Sequence, residues 1–221
     1  KGIRHALTVE QQKAFIEAIR SYPEYYHWYP LFVTLLGTGM RIGECVGLTW
    51  KDVDFKHRSI SVNHSATYYT RNGTAGFGIS KPKTEAGIRN IPLMDTVYDA
   101  LKNEYDRQKR EGFCVYELDG FNGFVFSNKL GSLHNPHCVN LAIKRIYEAY
   151  NAKEIIDAKK KHREPVIIPH FSCHQLRHTF CSRLCENEMN VKVIQEIMGH
   201  ANVETTLDIY TEVNFNKKQE S

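Results

Sequence analysis

The sequence lacks any apolar run approaching the roughly 20 residues that cross a bilayer. It also opens without the charged-then-apolar pattern of a signal peptide. These absences argue against a membrane or secreted protein and lead us to expect a cytoplasmic one. A large excess of one charge sign is lacking too, with 29 Lys and Arg against 25 Asp and Glu. A net charge of +4 does not by itself establish a nucleic-acid binder, so local clusters carry more weight. Two stand out as basic surfaces, Lys81 to Arg89 and Lys153 to Arg163. There is no CxxC pair among the six cysteines, no internal repeat, no low-complexity tract and no acidic metal cluster. The cysteines, at 45, 114, 138, 173, 181 and 185, lie mostly in apolar helical patterns and read as reduced core thiols rather than disulfides. His170, Cys173, His174, His178, Cys181 and Cys185 crowd together, which raises the question of zinc. In HQLRH, however, two histidines four apart enclose Arg177, where a metallopeptidase helix carries a glutamate, and a cation beside a dication is unfavourable. No metal or cofactor is expected.

What is present is an ordinary mixture. With 221 residues, 42% hydrophobic and 24% charged, the chain can bury one good core. Residues 1–7 read as the remnant of a linker, 8–213 as one domain and 214–221 as a polar tail. Thr8 with Gln11 forms a capping box ahead of a helix whose residues 14, 15, 18 and 19 make one apolar stripe. Leu31 to Leu36 is a buried helical run ended by Gly37 and Gly39, and Arg41 opens a second helix that continues to Trp50. From Ser59 the period becomes two. SISVNHSATYY, GFGISKPK and GIRNIPL predict three antiparallel strands, with RNGTAG as turn. Met94 to Gly112 predicts a long helix, Phe124 to Phe126 a short strand, and Asn135 with Pro136 the start of a helix reaching about Asn151. Residues 152–164 read as a charged loop or frayed helix. Ser172 caps the next helix, and Asn190 to Met198 forms another, ended by Gly199. Asn202 starts a last one that finishes at or near Tyr210. The fold class is α+β, mainly α, with a small three-stranded antiparallel sheet.

The chemistry concentrates between Ser172 and Val213. His174 and Arg177, three apart, share a helix face, and His200 and Tyr210 follow within helical segments. Arginine grips phosphate oxygens in a bidentate way, histidine moves protons near neutrality, and tyrosine can act as a covalent nucleophile. Together they suit attack on a phosphodiester. Several neighbours have blander readings. His178 and His170 suit packing, and Glu44 suits a helix-surface charge.

Four segments in order carry a resemblance. GTGMRIGECVGLTWKDVDF around Arg41, KPKTEAGIRNIPL around Lys83, HQLRHTF, and IMGHANVETTLDIYTEV together resemble the tyrosine recombinase (phage integrase) family, and they span most of the chain. The resemblance implies the fold of that family's catalytic domain and a site made of Arg41, Lys83, His174, Arg177, His200 and Tyr210, with Glu44 orienting Arg41. It implies a metal-independent DNA breaking and rejoining enzyme, an integrase of a mobile element such as a conjugative transposon, working through a 3′-phosphotyrosine. Its partner would be double-stranded DNA at specific sites, bound by a homotetramer that could exchange its C-terminal tails, in the bacterial cytoplasm. Lys81, Arg89, Lys159, Lys160 and Lys161 are candidate DNA contacts. Lys81 also competes with Lys83 for the role of acid. The family carries a DNA-clamping core-binding domain ahead of this segment. Nothing here corresponds to it, so the chain reads as an isolated catalytic domain. Two other readings use the same residues: a DNA-binding module of this fold that has lost chemistry, and a type IB topoisomerase-like nicking enzyme.

Overall fold

Helix α1 (Val9–Ser21) begins where its cap dictates. The Thr8 hydroxyl accepts the Gln11 backbone N–H at 3.2 Å, and the Gln11 side-chain oxygen accepts the Thr8 N–H at 3.0 Å. Its inward stripe is Ala14, Phe15, Ala18 and Ile19, as the spacing predicts. Phe15 meets Phe32 and Phe171 edge to face, with ring centroids 5.3 and 5.0 Å away. The computed structural model describes residues 6–71, 73–82 and 84–220, with side chains up to Val213 except Arg71.

Helix α2 (Tyr29–Thr38) is apolar all round because it is buried all round. It packs against α4 (Asp95–Glu111) and α6 (Cys173–Glu186). Gly37 sits inside α2 and does not end it: a Cβ there would lie 2.3 Å from Val97 of α4. The stop comes at Gly39, whose φ of +63° only a residue without a side chain adopts easily. The following helix α3 (Ile42–Val46) is shorter than the expected run to Trp50. Gly47 closes it, and the Gly47 carbonyl is held 2.7 Å from Nε2 of His64.

That contact also explains the strands. The stretch SISVNHSATYY is not one strand. It breaks at Asn63–His64 into β2 (Ser59–Val62) and β3 (Ser65–Arg71). His64 is buried between Gly47 and the ring of Phe121, and Asn63 donates to Asp52 at 3.0 Å. A buried imidazole and a tethered amide turn the chain out of the sheet. The three-stranded antiparallel sheet therefore has the order β1 (Val53–Asp54), β2, β5 (Arg89–Pro92), with Ile60 opposite Ile91 and Val62 opposite Arg89. β3 and β4 (Thr74–Ser80) form a separate ribbon, paired from Ser65–Ser80 to Arg71–Thr74. Phe124 makes a single bridge to Thr49 instead of a strand.

Helix α5 (Pro136–Lys160) starts at the Asn135 cap but runs nine residues past the expected end near Asn151. Its charged second half is helical because Glu154 is buried there. Arg163 grips both carboxylate oxygens, at 2.5 and 2.9 Å, and the Val166 N–H donates to one at 2.9 Å. The Arg163 hydrogen bonds hold that carboxyl down to about 2. Beyond the main core, a smaller one joins α6, α7 (Val191–Met198) and α8 (Glu204–Glu220), built from Phe180, Cys181, Cys185, Ile194, Met198, Ile209 and Val213. Helix α8 does not finish near Tyr210. It continues to Glu220, and Val213, at the expected domain end, is buried in its own chain. Among the described residues, no helix is long and apolar enough to cross a membrane.

Candidate active site

The site is organised by the carboxyl end of α7. The last carbonyls of a helix lack partners within it and carry partial negative charge. Backbone N–H groups of Gly199 and His200 take the carbonyls of Glu196 and Gln195. The next three carbonyls each accept from a different arginine. Arg89 Nε donates to Ile197 at 2.7 Å, Arg177 Nη2 to Met198 at 2.5 Å, and Arg41 Nη2 to Gly199 at 3.4 Å. Gly199 has φ of +63°, and a Cβ there would lie 2.9 Å from the Ala86 carbonyl and 3.0 Å from the Arg89 side chain. Glycine is therefore required at this convergence.

Each arginine has a second tie. Arg177, on α6, donates Nη1 to the Gly39 carbonyl at 2.5 Å, which links α6 to the turn that carries Arg41. Burial first, and then the charge of Arg41, lower its guanidinium to about 9, so it stays protonated at neutral pH. Arg41 precedes α3. Its Nη1 reaches Glu44 Oε1 at 2.9 Å, and its backbone N–H reaches Oε2 at 2.8 Å. Glu44 is buried, and burial alone would raise its pKa. The hydrogen bond and charge of Arg89, with those of Arg41, outweigh burial and keep the carboxyl below its ordinary value. Among the described residues, three guanidinium groups thus surround one carboxylate, an excess of two positive charges.

His200 is 8% exposed, and its Nδ1 lies 2.9 Å from the Thr206 hydroxyl. Burial, then Arg177, Arg41 and Arg89, lower its pKa to about 4, so the ring is neutral at pH 7. Thr206 stands one turn before Tyr210 on α8, and residues four apart share a face. Tyr210 is half-buried against the smaller core formed with α6 and α7. His174 is exposed in the first turn of α6, one turn before Arg177. The Gln175 side-chain oxygen accepts the Ser172 N–H at 3.0 Å and fixes the start of that helix. His178 faces Glu212 of α8, 3.8 Å away.

The fold therefore gathers Arg41, Glu44, Arg177 and His200 at one helix end and places His174 and Tyr210 on the helices that hold it. Lys83 lies outside the described residues, and Lys81 is exposed. Arg89 departs from the expectation of a DNA contact. Its side chain is 5% exposed and pairs with Glu44, so its guanidinium is spent inside the protein. Alternation on its strand was the available signal, because Arg89 and Ile91 share the inward face. Thr206 was also missed. Lys159, Lys160 and Lys161 are exposed at the far end of α5. Asn140, near the start of α5, accepts the Cys173 N–H at 2.9 Å. Helical rise then puts these lysines about 30 Å away from that contact.

The family model described as the phage integrase family matches residues 5–217. The transposase from transposon Tn916 of Enterococcus faecalis is 33% identical over 209 residues, which cover 95% of this chain and 48% of that protein. The chain thus spans about half the length of the curated relatives it matches. The ICEBs1 integrase of Bacillus subtilis is 26% identical, over 96% of this chain and 51% of that protein. Among solved structures, the Tn1549 transposon integrase in complex with transposon right end DNA superposes with a TM-score of 0.80 at 32% identity, covering 100% of this chain and 67% of that one.

Proposed function

Since this chain belongs to the phage integrase family, we propose that it cuts and rejoins duplex DNA at specific sites, as the integrase of a mobile genetic element. The observation that carries this reading is the cluster of three guanidinium groups around one carboxylate, beside a neutral buried imidazole. The unbalanced charge suits a phosphodiester whose oxygens grow more negative as a fifth ligand approaches phosphorus.

The Tyr210 oxygen attacks phosphorus and gives up its proton with help from His174. The phosphorus–oxygen bond to the 5′ carbon's oxygen breaks, which leaves a 3′-phosphotyrosine and a 5′-hydroxyl. Lys83 supplies the proton that the departing oxygen takes up. Arg41 and Arg177 hold the two non-bridging oxygens. His200, whose Nδ1 is occupied by Thr206, offers Nε2 to one of them. The phosphotyrosine conserves the bond energy, so a 5′-hydroxyl from the partner strand can attack it, restore the DNA backbone and free the tyrosine. Two such exchanges need four active sites, hence a tetramer on DNA, held together by exchange of the C-terminal tails. The work is done in the bacterial cytoplasm on DNA.

The test is a nicked duplex carrying a candidate recombination site, incubated with the chain and with Tyr210→Phe. The expected result is DNA that stays attached to protein after denaturation in the first sample and not in the second. DNA that is bound but never attached would overturn the proposal in favour of a binding module without chemistry.

A further inference from the structure

We propose that Arg89 is a positioning residue for this reaction: it clamps the Glu44 carboxylate to the carboxyl end of α7 and so fixes Arg41 and Arg177 before DNA arrives. The inference rests on the cleavage reaction proposed above. Every donor direction described for Arg89 points inward. Nε goes to Ile197, Nη1 to Gly87 and to Glu44 Oε1 at 3.2 Å each, and Nη2 to Glu44 Oε2 at 2.8 Å. Each Glu44 oxygen consequently takes one donor from Arg89 and one from Arg41.

The two arginines that share Glu44 are not equivalent. The Arg41 side chain is 49% exposed and can still meet a phosphate, whereas that of Arg89 is 5% exposed. Arg89 also bridges elements distant in sequence. Through Gly87 it holds the connection between β4 and β5, through Glu44 it holds α3, and through Ile197 it holds α7. The Met198 and Gly199 carbonyls that receive Arg177 and Arg41 follow directly on Ile197. If Arg89 is removed, Glu44 loses half its donors and keeps its burial, an arrangement that favours the protonated acid and loosens Arg41. Lysine cannot replace the planar fork, because one ammonium cannot meet two carboxylate oxygens and two carbonyls at once.

The test compares Arg89→Gln and Arg89→Lys with the unsubstituted chain. Adduct formation on the nicked duplex at saturating DNA is expected to fall at least about 100-fold for R89Q and about 10-fold for R89K, with duplex affinity within about threefold for both. In the DNA-free chain, a carbon-13 titration of glutamate carboxyls, with Glu44 assigned by its loss in E44Q, is expected to show Glu44 titrating at higher pH in R89Q. A charge-retaining variant guards against failure to fold, so if R89Q does not fold, R89K alone decides. Adduct formation within about threefold of normal, or a loss carried by DNA affinity alone, would overturn the assignment. So would an unmoved Glu44 titration. If the unsubstituted chain itself forms no adduct, the cleavage reading fails separately, and the titration still decides whether Arg89 holds Glu44.

Discussion

Two bidentate arginine–glutamate pairs, in different regions of the molecule, do different things. At the end of α5, Arg163 grips Glu154 with its own side chain 41% exposed, and the one-to-one pair neutralises itself while it seals a helix end. At the end of α7, Arg89 grips Glu44 with both side chains buried, and the same carboxylate must also serve Arg41, with Arg177 alongside. The first region is balanced and needs nothing more. The second holds surplus positive charge in a place where water screens it poorly, so an anion is its natural complement. Similar pair geometry serves structure in one case and, in the function proposed above, phosphate binding in the other. What decides is the charge left over.

Substitutions can break this contrast. Arg177→Lys keeps the charge and loses the fork that reaches Gly39 and Met198. Adduct formation should drop by roughly 10²–10³, measured under single-turnover conditions at saturating DNA. A loss below tenfold would remove Arg177 from the transition state. Glu44→Gln leaves two guanidinium groups, of Arg41 and Arg89, without their carboxylate. Of those two, only Arg89 is buried, and the variant should lower the unfolding free energy by about 3 kcal/mol in chemical denaturation and slow adduct formation as well. Glu154→Gln should shift the denaturation midpoint less and leave adduct formation unchanged. Equal effects of the two glutamine variants on cleavage would erase the distinction between the regions.

A pH experiment sharpens it further. His200 has a folded pKa of about 4 against an ordinary value near 6.5. Between those values the unfolded chain binds more protons. The contribution is thus fully present above about 6.5 and is lost as pH falls towards 4. His134, half-buried against Trp28 and also lowered to about 4, titrates in the same window. His200→Asn should therefore flatten the rise of stability from pH 4 to 6.5 without abolishing it, and an unchanged slope would show that the imidazole is not held neutral. The smallest effect belongs to the basic end of α5. We propose that Lys159, Lys160 and Lys161 touch phosphates other than the scissile one. Changing all three to Gln should make the slope of log affinity against log salt shallower by up to about 2.7, with the cleavage rate at saturation intact. An unaltered slope would place these lysines off the DNA.

Local features were legible because they depend on near neighbours. The Thr8–Gln11 box, the Asn135 start and the Ser172 cap each lie within a few residues of the helix they begin. So does the αL stop at Gly199. Errors came where a remote partner intervened. His64 leaves the strand for Gly47, 17 residues away. Residues 152–160 stay helical because Glu154 finds Arg163 and Val166. A hydrophilic segment looks alike whether it is a loop or a helix whose one buried acid is paired.

By itself the sequence determined which chemical groups are available, their order and the caps that start the helices, because identity and short-range hydrogen bonding are written along the chain. Only the tertiary structure decided what each arginine does. Arg41, Arg89 and Arg177 carry the same guanidinium, and nothing in its chemistry separates a phosphate ligand from an internal brace. Burial and partners make that separation. Those come from α3, β5, α6 and the end of α7 meeting across 21 to 158 residues of sequence.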